Sequence, residues 1–415
     1  MAVRQVELMA PAGNWESLQA AINAKADSVY FGIDQLNMRA RASINFSTGD
    51  LKEISERCQK AGMKTYLTLN TIIYDHDLSV IKTIIDAVKE ANISAVIASD
   101  QAVINYAFTQ GVEVHISTQL NVTNIETVKF YSHFSDVMVL SRELSLIQIK
   151  KICDAIIKED IRGPKGRLIE VEIFAHGALC VAVSGKCYMS LHTHNSSANR
   201  GACTQNCRKT YTVIDKETGI ELDIDNEYIM SPKDLCTLDF LDQVLDTGVT
   251  VLKIEGRGRA PEYVKTVIET YRAAIDDYVE GSYNQNKVKG WMTDLATVYN
   301  RDFWSGYYLG QVLGEFNNTS GSKATQKRVY IGKGVHFYPK AGVAEFKIEA
   351  QQISVGDDII ITGSTTGVVE HTITEMMIDE VFAEKAEKGV NITFPINERV
   401  RSSDKLYKIV KTNLD

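Results

Sequence analysis

The sequence predicts an α/β fold, a (β/α)8 TIM-like barrel with a long cysteine-bearing insertion, followed by a small C-terminal all-β barrel. Three observations predict it. Through the first 280 residues, short apolar runs alternate with stretches of amphipathic helical period. Eight such runs with crossover helices between them match the strand count of a closed barrel. From Arg328 onward the pattern changes to brief alternating segments divided by turn signals, as in a small β-barrel or sandwich.

In chain order the expected strands are Val6–Met9, Ser28–Phe31, Thr65–Leu69, Ala95–Ala98, Glu113–Ile116, Asp136–Leu140, Glu170–Phe174 and Val249–Ile254. Helical patterns fill the gaps at Trp15–Ala24, Asp50–Ala61, Leu78–Ala91, Ser99–Gln110, Asn124–Phe134, Leu146–Glu159 and Pro261–Val279. A doubly wound sheet is the alternative. Its first turn is usually glycine-rich, and here that turn reads APAGNWES rather than GxGxxG.

The spacing breaks once. About 75 residues separate the seventh and eighth strands, far beyond an ordinary loop. This excursion leaves the seventh strand at His176 and Gly177, on the face where barrels carry their chemistry. It holds a hairpin pattern, Tyr211–Ile214 and Ile220–Ile224, turned through KETG. The organisation expected is therefore a barrel over 1–280 with an insertion at 176–248, a connecting segment over 281–324, and a β-barrel over 325–415. The connecting segment is rich in glycine, asparagine and aromatics, with two helical turns around Trp291–Tyr299.

The 415 residues exceed one compact core, and 44% hydrophobic with 24% charged residues is ordinary for a globular protein. A net charge of −8 excludes a globally basic nucleic-acid binder, though not a local basic face. The N-terminal MAVRQVELMAPAG has no long apolar stretch, and no run approaches membrane-spanning length, so a cytoplasmic protein without a membrane partner is expected.

Cys180, Cys187, Cys203 and Cys207 fall in one polar, glycine-rich window as C-x6-C-x15-C-x3-C. In a reducing compartment, clustered thiols point to metal binding or catalysis before disulfides. Cys58, Cys153 and Cys236 lie in helical patterns and read as small core hydrophobes. Structural zinc usually shows paired C-x2–4-C knuckles, and only Cys203 and Cys207 come close to one. The wider gaps suit an iron–sulfur cluster held by a folded loop. His176, His192 and His194 are candidates to replace a thiol or support one.

Polar side chains collect where the expected strands end, the position that faces a barrel's active site. Arg39, Arg41, Asn70, Gln119, Arg142, His176, Glu255 and Arg257 are the candidate substrate-binding residues, and Lys253 and Arg259 belong to the same group. Arginine grips carboxylates and phosphates with a planar fork, so the arginines suggest an anionic substrate. Neither GxSxG nor HExxH is present, and no nucleophilic triad is legible.

The segments ELMAPAGNWESLQAAINAKADSVYFG, TYLTLNT, HISTQLNVTN, VLSREL, IFAHGALCVAVSGKCYMS, ANRGACTQNCR, SPKDL, KIEGRGRAPEYV and NRDFWSGYYLG together resemble the collagenase-like peptidase family U-32. The resemblance covers nearly the whole chain, and its length and β-rich tail are closest to the branch of tRNA 5-hydroxyuridine proteins. It implies a barrel with a C-terminal β-barrel, and a 4Fe-4S cluster on the four clustered cysteines. It also implies hydroxylation of the tRNA wobble uridine at carbon five, with prephenate as oxygen source. A second U-32 family protein is an implied partner. Relatives hydroxylate ribosomal RNA cytidine or ubiquinone precursors. Three alternatives stand beside this one: a U-32 peptidase, a zinc hydrolase, and a non-catalytic RNA-binding subunit whose cluster is structural.

Overall fold

The first strand sets the pattern of a parallel barrel in a computed structural model, which describes residues 6–41, 45–219, 221–222, 228–311, 313–319 and 321–412. The staves are β1 (Glu7–Ala12), β2 (Ser28–Phe31), β3 (Lys64–Leu69), β4 (Ala95–Ala98), β5 (Val114–Ile116), β6 (Val137–Val139), β7 (Glu170–Ala178) and β8 (Val251–Ile254). Each pairs in parallel with the next, and β8 pairs with both β7 and β1, which closes the ring.

Side chains alternate across the staves with period two. Leu8, Val29, Phe31, Leu67 and Val96 pack outward beneath the helices. Met9, Tyr30, Tyr66, Ala95 and Ile97 form a separate cluster inside the barrel. The interior is also charged. Glu7 accepts from Tyr66 Oη at 2.7 Å and from Lys64 Nζ at 2.6 Å. Glu172 pairs with Lys253 at 2.8 Å.

Turn chemistry after each stave starts the next helix. Asn14 accepts from Ser17 N and caps Trp15–Asn23; Asp100 accepts from Ala102 N and caps Gln101–Thr109. Such caps satisfy backbone donors that a helix start leaves open. Pro261 opens the long helix Pro261–Glu280, and Gly281 ends it with φ of 73°.

β1 runs three residues past the expected Met9, to Ala12, and two later elements also outrun the sequence pattern. β7 continues to Ala178 because Asp234–Cys236 pairs antiparallel with its last residues, and Phe303–Trp304 then adds in parallel to that strand. Helix Gln285–Thr297 replaces the two turns expected around Trp291–Tyr299. Its Asn284 cap is strong, but only Val288 and Leu295 are buried, so apolar periodicity gave little sign of it. Val213–Ile214 and Glu221–Leu222 pair as a short hairpin, while Ile220, Asp223 and Ile224 of the expected hairpin lie outside the described residues.

The C-terminal region is all-β, an antiparallel eight-stranded sheet with its own core of Ile331, Phe346, Ile361, Phe394 and Leu406. It rests on the barrel's outer helices: Arg328 pairs with Glu262 at 2.8 Å, and Lys265 with Glu370 at 3.0 Å. Ile360 and Val368 join the barrel's hydrophobic cluster. Among the described residues, no helix is long and apolar enough to cross a membrane.

Candidate active site

A cavity of about 430 Å³ opens at the C-terminal ends of the staves. Tyr30, Thr68, Ile97, Val139, Phe174 and Lys253 line its depth, and Asn70, Gln119, Arg142, Glu255 and Arg257 line its wall. The excursion after β7 lies over the mouth and brings Cys180, Cys187, Cys203 and Cys207 to the same cavity.

The wall is organised around Glu255. Arg39 Nη2 approaches its Oε1 at 3.0 Å, and Tyr30 Oη donates to its Oε2 at 2.9 Å. Burial pushes this carboxyl up, but the Arg39 and Arg257 guanidiniums outweigh it and hold the group below the usual carboxylate range. Arg257 is 5% exposed and donates to Asn37 Oδ1 and Thr68 Oγ1, both at 3.0 Å. It reaches that place because residue 32 is glycine; a Cβ there would collide with Arg257 Nη1. Asn70 donates to Gln119 Oε1 at 3.2 Å, which ties the ends of β3 and β5 together.

The lid is held from two sides. Arg142 donates to Ser184 Oγ at 3.0 Å, and Asn121 Nδ2 to Ser184 O at 3.1 Å. Across the mouth, Ile72 N donates to Asn199 O at 3.1 Å, and Arg41 N to Gly201 O at 3.2 Å. Arg208 closes the loop by donating to Ser231 Oγ at 3.0 Å and Pro232 O at 2.6 Å.

Cys180 is exposed, and the other three of the cluster are half-buried; all four are free thiols. Burial pushes the Cys207 thiol up. Arg208 opposes that shift, and charge on Cys180, Cys203 and Cys187 adds to it. Among the described residues, no group of three or more His, Cys, Asp or Glu is gathered to hold a single metal ion. A polynuclear cluster interposes its own atoms between thiolates and asks for a wider ring of sulfurs than one ion does. By number and chemistry the donor set fits such a group. Cys58, Cys153 and Cys236 are buried and do not line the cavity.

Two predicted site residues lie elsewhere. Arg41 is exposed and does not line the cavity; its backbone, not its guanidinium, engages the lid. His176 was expected at the substrate and is instead 2% exposed behind the cavity, against Tyr271 at 5.6 Å, Phe303 at 5.5 Å and Tyr263 at 6.0 Å. The reason is a bulge: β7 advances two residues, Phe174 to His176, while β8 advances one, Lys253 to Ile254. The next residue, Gly177, has φ of 107°, and a Cβ there would collide with Glu255 O. Burial, with Arg259's charge adding, pushes the imidazole down to about 3. His192 and His194 are exposed and do not line the cavity.

Sequence reasoning missed Tyr30, Phe174 and Ser184 as lining residues, because two of them look like strand core and one like loop. It also missed Arg301, which pairs with Asp234 at 3.4 Å beside Arg259, whose guanidinium covers the Tyr299 ring at 3.6 Å. The NRDFWSGYYLG segment was its signal.

The class defined by this geometry is a parallel barrel with its site under a cysteine-bearing lid. Residues 13–317 match the profile described as peptidase family U32, and the chain belongs to that family. It is 55% identical over 411 residues to a protein of Porphyromonas gingivalis named collagenase, covering 99% of both chains. It is 34% identical to a tRNA hydroxylation protein of Bacillus subtilis, over 74% of this chain and 72% of that one. A 23S rRNA 5-hydroxycytidine synthase of Escherichia coli is 34% identical over 66% of this chain and 40% of its own length.

Proposed function

We propose that this chain is a tRNA-modifying enzyme that hydroxylates the wobble uridine at carbon five, with prephenate as the hydroxyl source. A 4Fe-4S cluster on Cys180, Cys187, Cys203 and Cys207 would supply a redox centre at the cavity. One observation carries this reading: the four thiols and a set of guanidiniums share one cavity at the barrel's chemical face. Two relatives bear the names of RNA hydroxylation proteins, and they support RNA as the substrate class.

The chain's own residues bind and orient. Arg142 has no carboxylate in ion-pair contact among the described residues, so its charge is available to a phosphate or carboxylate. Arg39 and Arg257 share the one negative charge of Glu255, and their bonds to Glu255, Asn37 and Thr68 fix both guanidiniums as donors. Outside the site, Lys333 and Lys347 face each other across two strands of the C-terminal sheet, both exposed; Glu349 lies 3.4 Å from Lys333, so one carboxylate faces two ammoniums there, and the pair would contact the RNA backbone. Charge reversal at both should lower tRNA affinity most at low salt, and unchanged affinity refutes that role.

The test of the activity is nucleoside mass spectrometry of tRNA. A deletion strain should lack 5-hydroxyuridine, regain it with the intact gene, and fail to regain it with Cys180→Ala. A deletion strain with unaltered tRNA refutes the reading. A peptidase reading is favoured by the higher identity to the collagenase-named relative. It predicts peptide cleavage that survives replacement of all four cysteines. A second U32 family protein as working partner would appear as a stable complex on co-purification.

A further inference from the structure

The depth of the cavity holds an ion pair that the wall chemistry does not use. Lys253 is 4% exposed and Glu172 is fully buried, with Nζ 2.8 Å from Oε1. Among the described residues, Glu172 is the one hydrogen-bond acceptor of this ammonium, which carries three protons. Glu172 Oε2 is buried with no hydrogen-bond partner among the described residues. Buried polar groups are ordinarily satisfied, and Lys253, the member of the pair that lines the cavity, has donor capacity there that a ligand acceptor completes.

The surroundings select the ligand. Nζ sits 4.4 Å from the Tyr30 ring centre and 5.6 Å from that of Phe174, with Ile97 and Val139 lining the same depth. Glu172 already balances the lysine, so this floor is neutral overall and cannot stabilise a phosphate dianion. Unbalanced positive charge lies nearer the lid, at Arg142, which reaches Ser184. A ligand with a flat uncharged ring and an anionic tail matches this division, ring on the aromatic floor and tail on the guanidinium.

We infer that the floor is the seat of a flipped-out pyrimidine base, with Lys253 Nζ donating to a ring carbonyl oxygen and Glu172 holding that ammonium in place. The inference rests on the RNA reading above and adds to it the residues that receive the base. Extruding a base costs stacking energy, and a pocket that stacks the ring and hydrogen-bonds its edge offsets that cost.

Titration calorimetry on the full-length holoprotein tests it, with uridine 5′-monophosphate and ribose 5-phosphate as probes. The intact protein should bind the nucleotide at least tenfold more tightly than the sugar phosphate. Lys253→Met should abolish that preference and leave ribose 5-phosphate binding unchanged. Because Lys253→Met alone strands a buried carboxylate, Lys253→Met with Glu172→Gln serves as the second variant. It should melt closer to the intact protein and still show no preference. Equal binding of the two probes by the intact protein overturns the inference, as does a preference retained in the double variant. 5-Hydroxyuridine formation by the intact protein upholds the RNA reading even if Lys253 proves irrelevant, and nucleotide binding through Lys253 without hydroxylation sinks that reading alone.

Discussion

Lowering the pH should destabilise this protein through His176, and the size of the effect follows from where the bulge puts the ring. The imidazole is buried among three aromatic rings with no partner for Nδ1 among the described residues, and its folded value is pushed down to about 3. In the unfolded chain a histidine takes up its proton near 6.5. The folded state therefore binds fewer protons between those limits, and stability falls as pH drops through 6.5 and continues to fall towards 3. The penalty is about 2 kcal/mol at pH 5 and about 3 kcal/mol at pH 4 from this one group. His176→Phe fits the same aromatic surroundings and cannot be protonated. Urea denaturation of both proteins at pH 7 and pH 5 isolates the term, because every other titrating group contributes equally and cancels in the double difference. The variant should lose about 2 kcal/mol less than the parent over this range. Parallel losses within about 0.5 kcal/mol would refute the burial argument and return His176 to the list of solvent-reachable site residues.

Gly32→Ala should force the buried Arg257 guanidinium from its bonds to Asn37 and Thr68, costing about 1–3 kcal/mol in thermal or urea melts; a neutral result means the wall tolerates another position for Arg257. Cys187→Ser should lower iron content and visible absorbance in anaerobic preparations without altering the far-UV dichroism of the barrel, and iron retained at the parental level counts against a four-thiol ligand set. Phe346→Ala removes a fully buried ring stacked on Phe394 at 5.5 Å and should destabilise the C-terminal region by about 3–5 kcal/mol, read as early proteolysis there.

Local pattern carried the barrel. All eight staves lie where short apolar runs were expected, because strands buried on both faces must be apolar along their length. The four cysteines were legible for a similar reason: one loop supplies all of them. What stayed hidden depends on contacts between distant segments. Arg39 meets Glu255 across 216 residues, and no spacing rule reaches that far. His176 looked like a strand-end polar residue, and the bulge that turns it away exists only where β7 and β8 pair out of step. β7 extends past Phe174 because a strand sixty residues later pairs with it. The helix at Gln285 begins at a side-chain cap rather than at an apolar stripe, so periodicity understated it.

The names of the relatives point to peptides and to RNA, and the charge distribution of the cavity bears on the choice. The chain as a whole carries −8, which on its own repels a polyanion. Binding RNA therefore requires concentrated positive charge at the site. Among the described residues Arg142 has no carboxylate in ion-pair contact, and Arg259 and Arg301 share the single carboxylate of Asp234 at 3.8 and 3.4 Å. A peptide backbone needs neutral donors and acceptors in register, and unbalanced guanidiniums add nothing to that recognition. A phosphodiester needs just such groups, fixed where water is partly excluded. If this reasoning holds, raising salt from 50 to 200 mM should weaken ligand binding by a factor set by the number of phosphates held, and Arg142→Gln should reduce the slope by about one phosphate. A salt-independent affinity would favour the uncharged peptide.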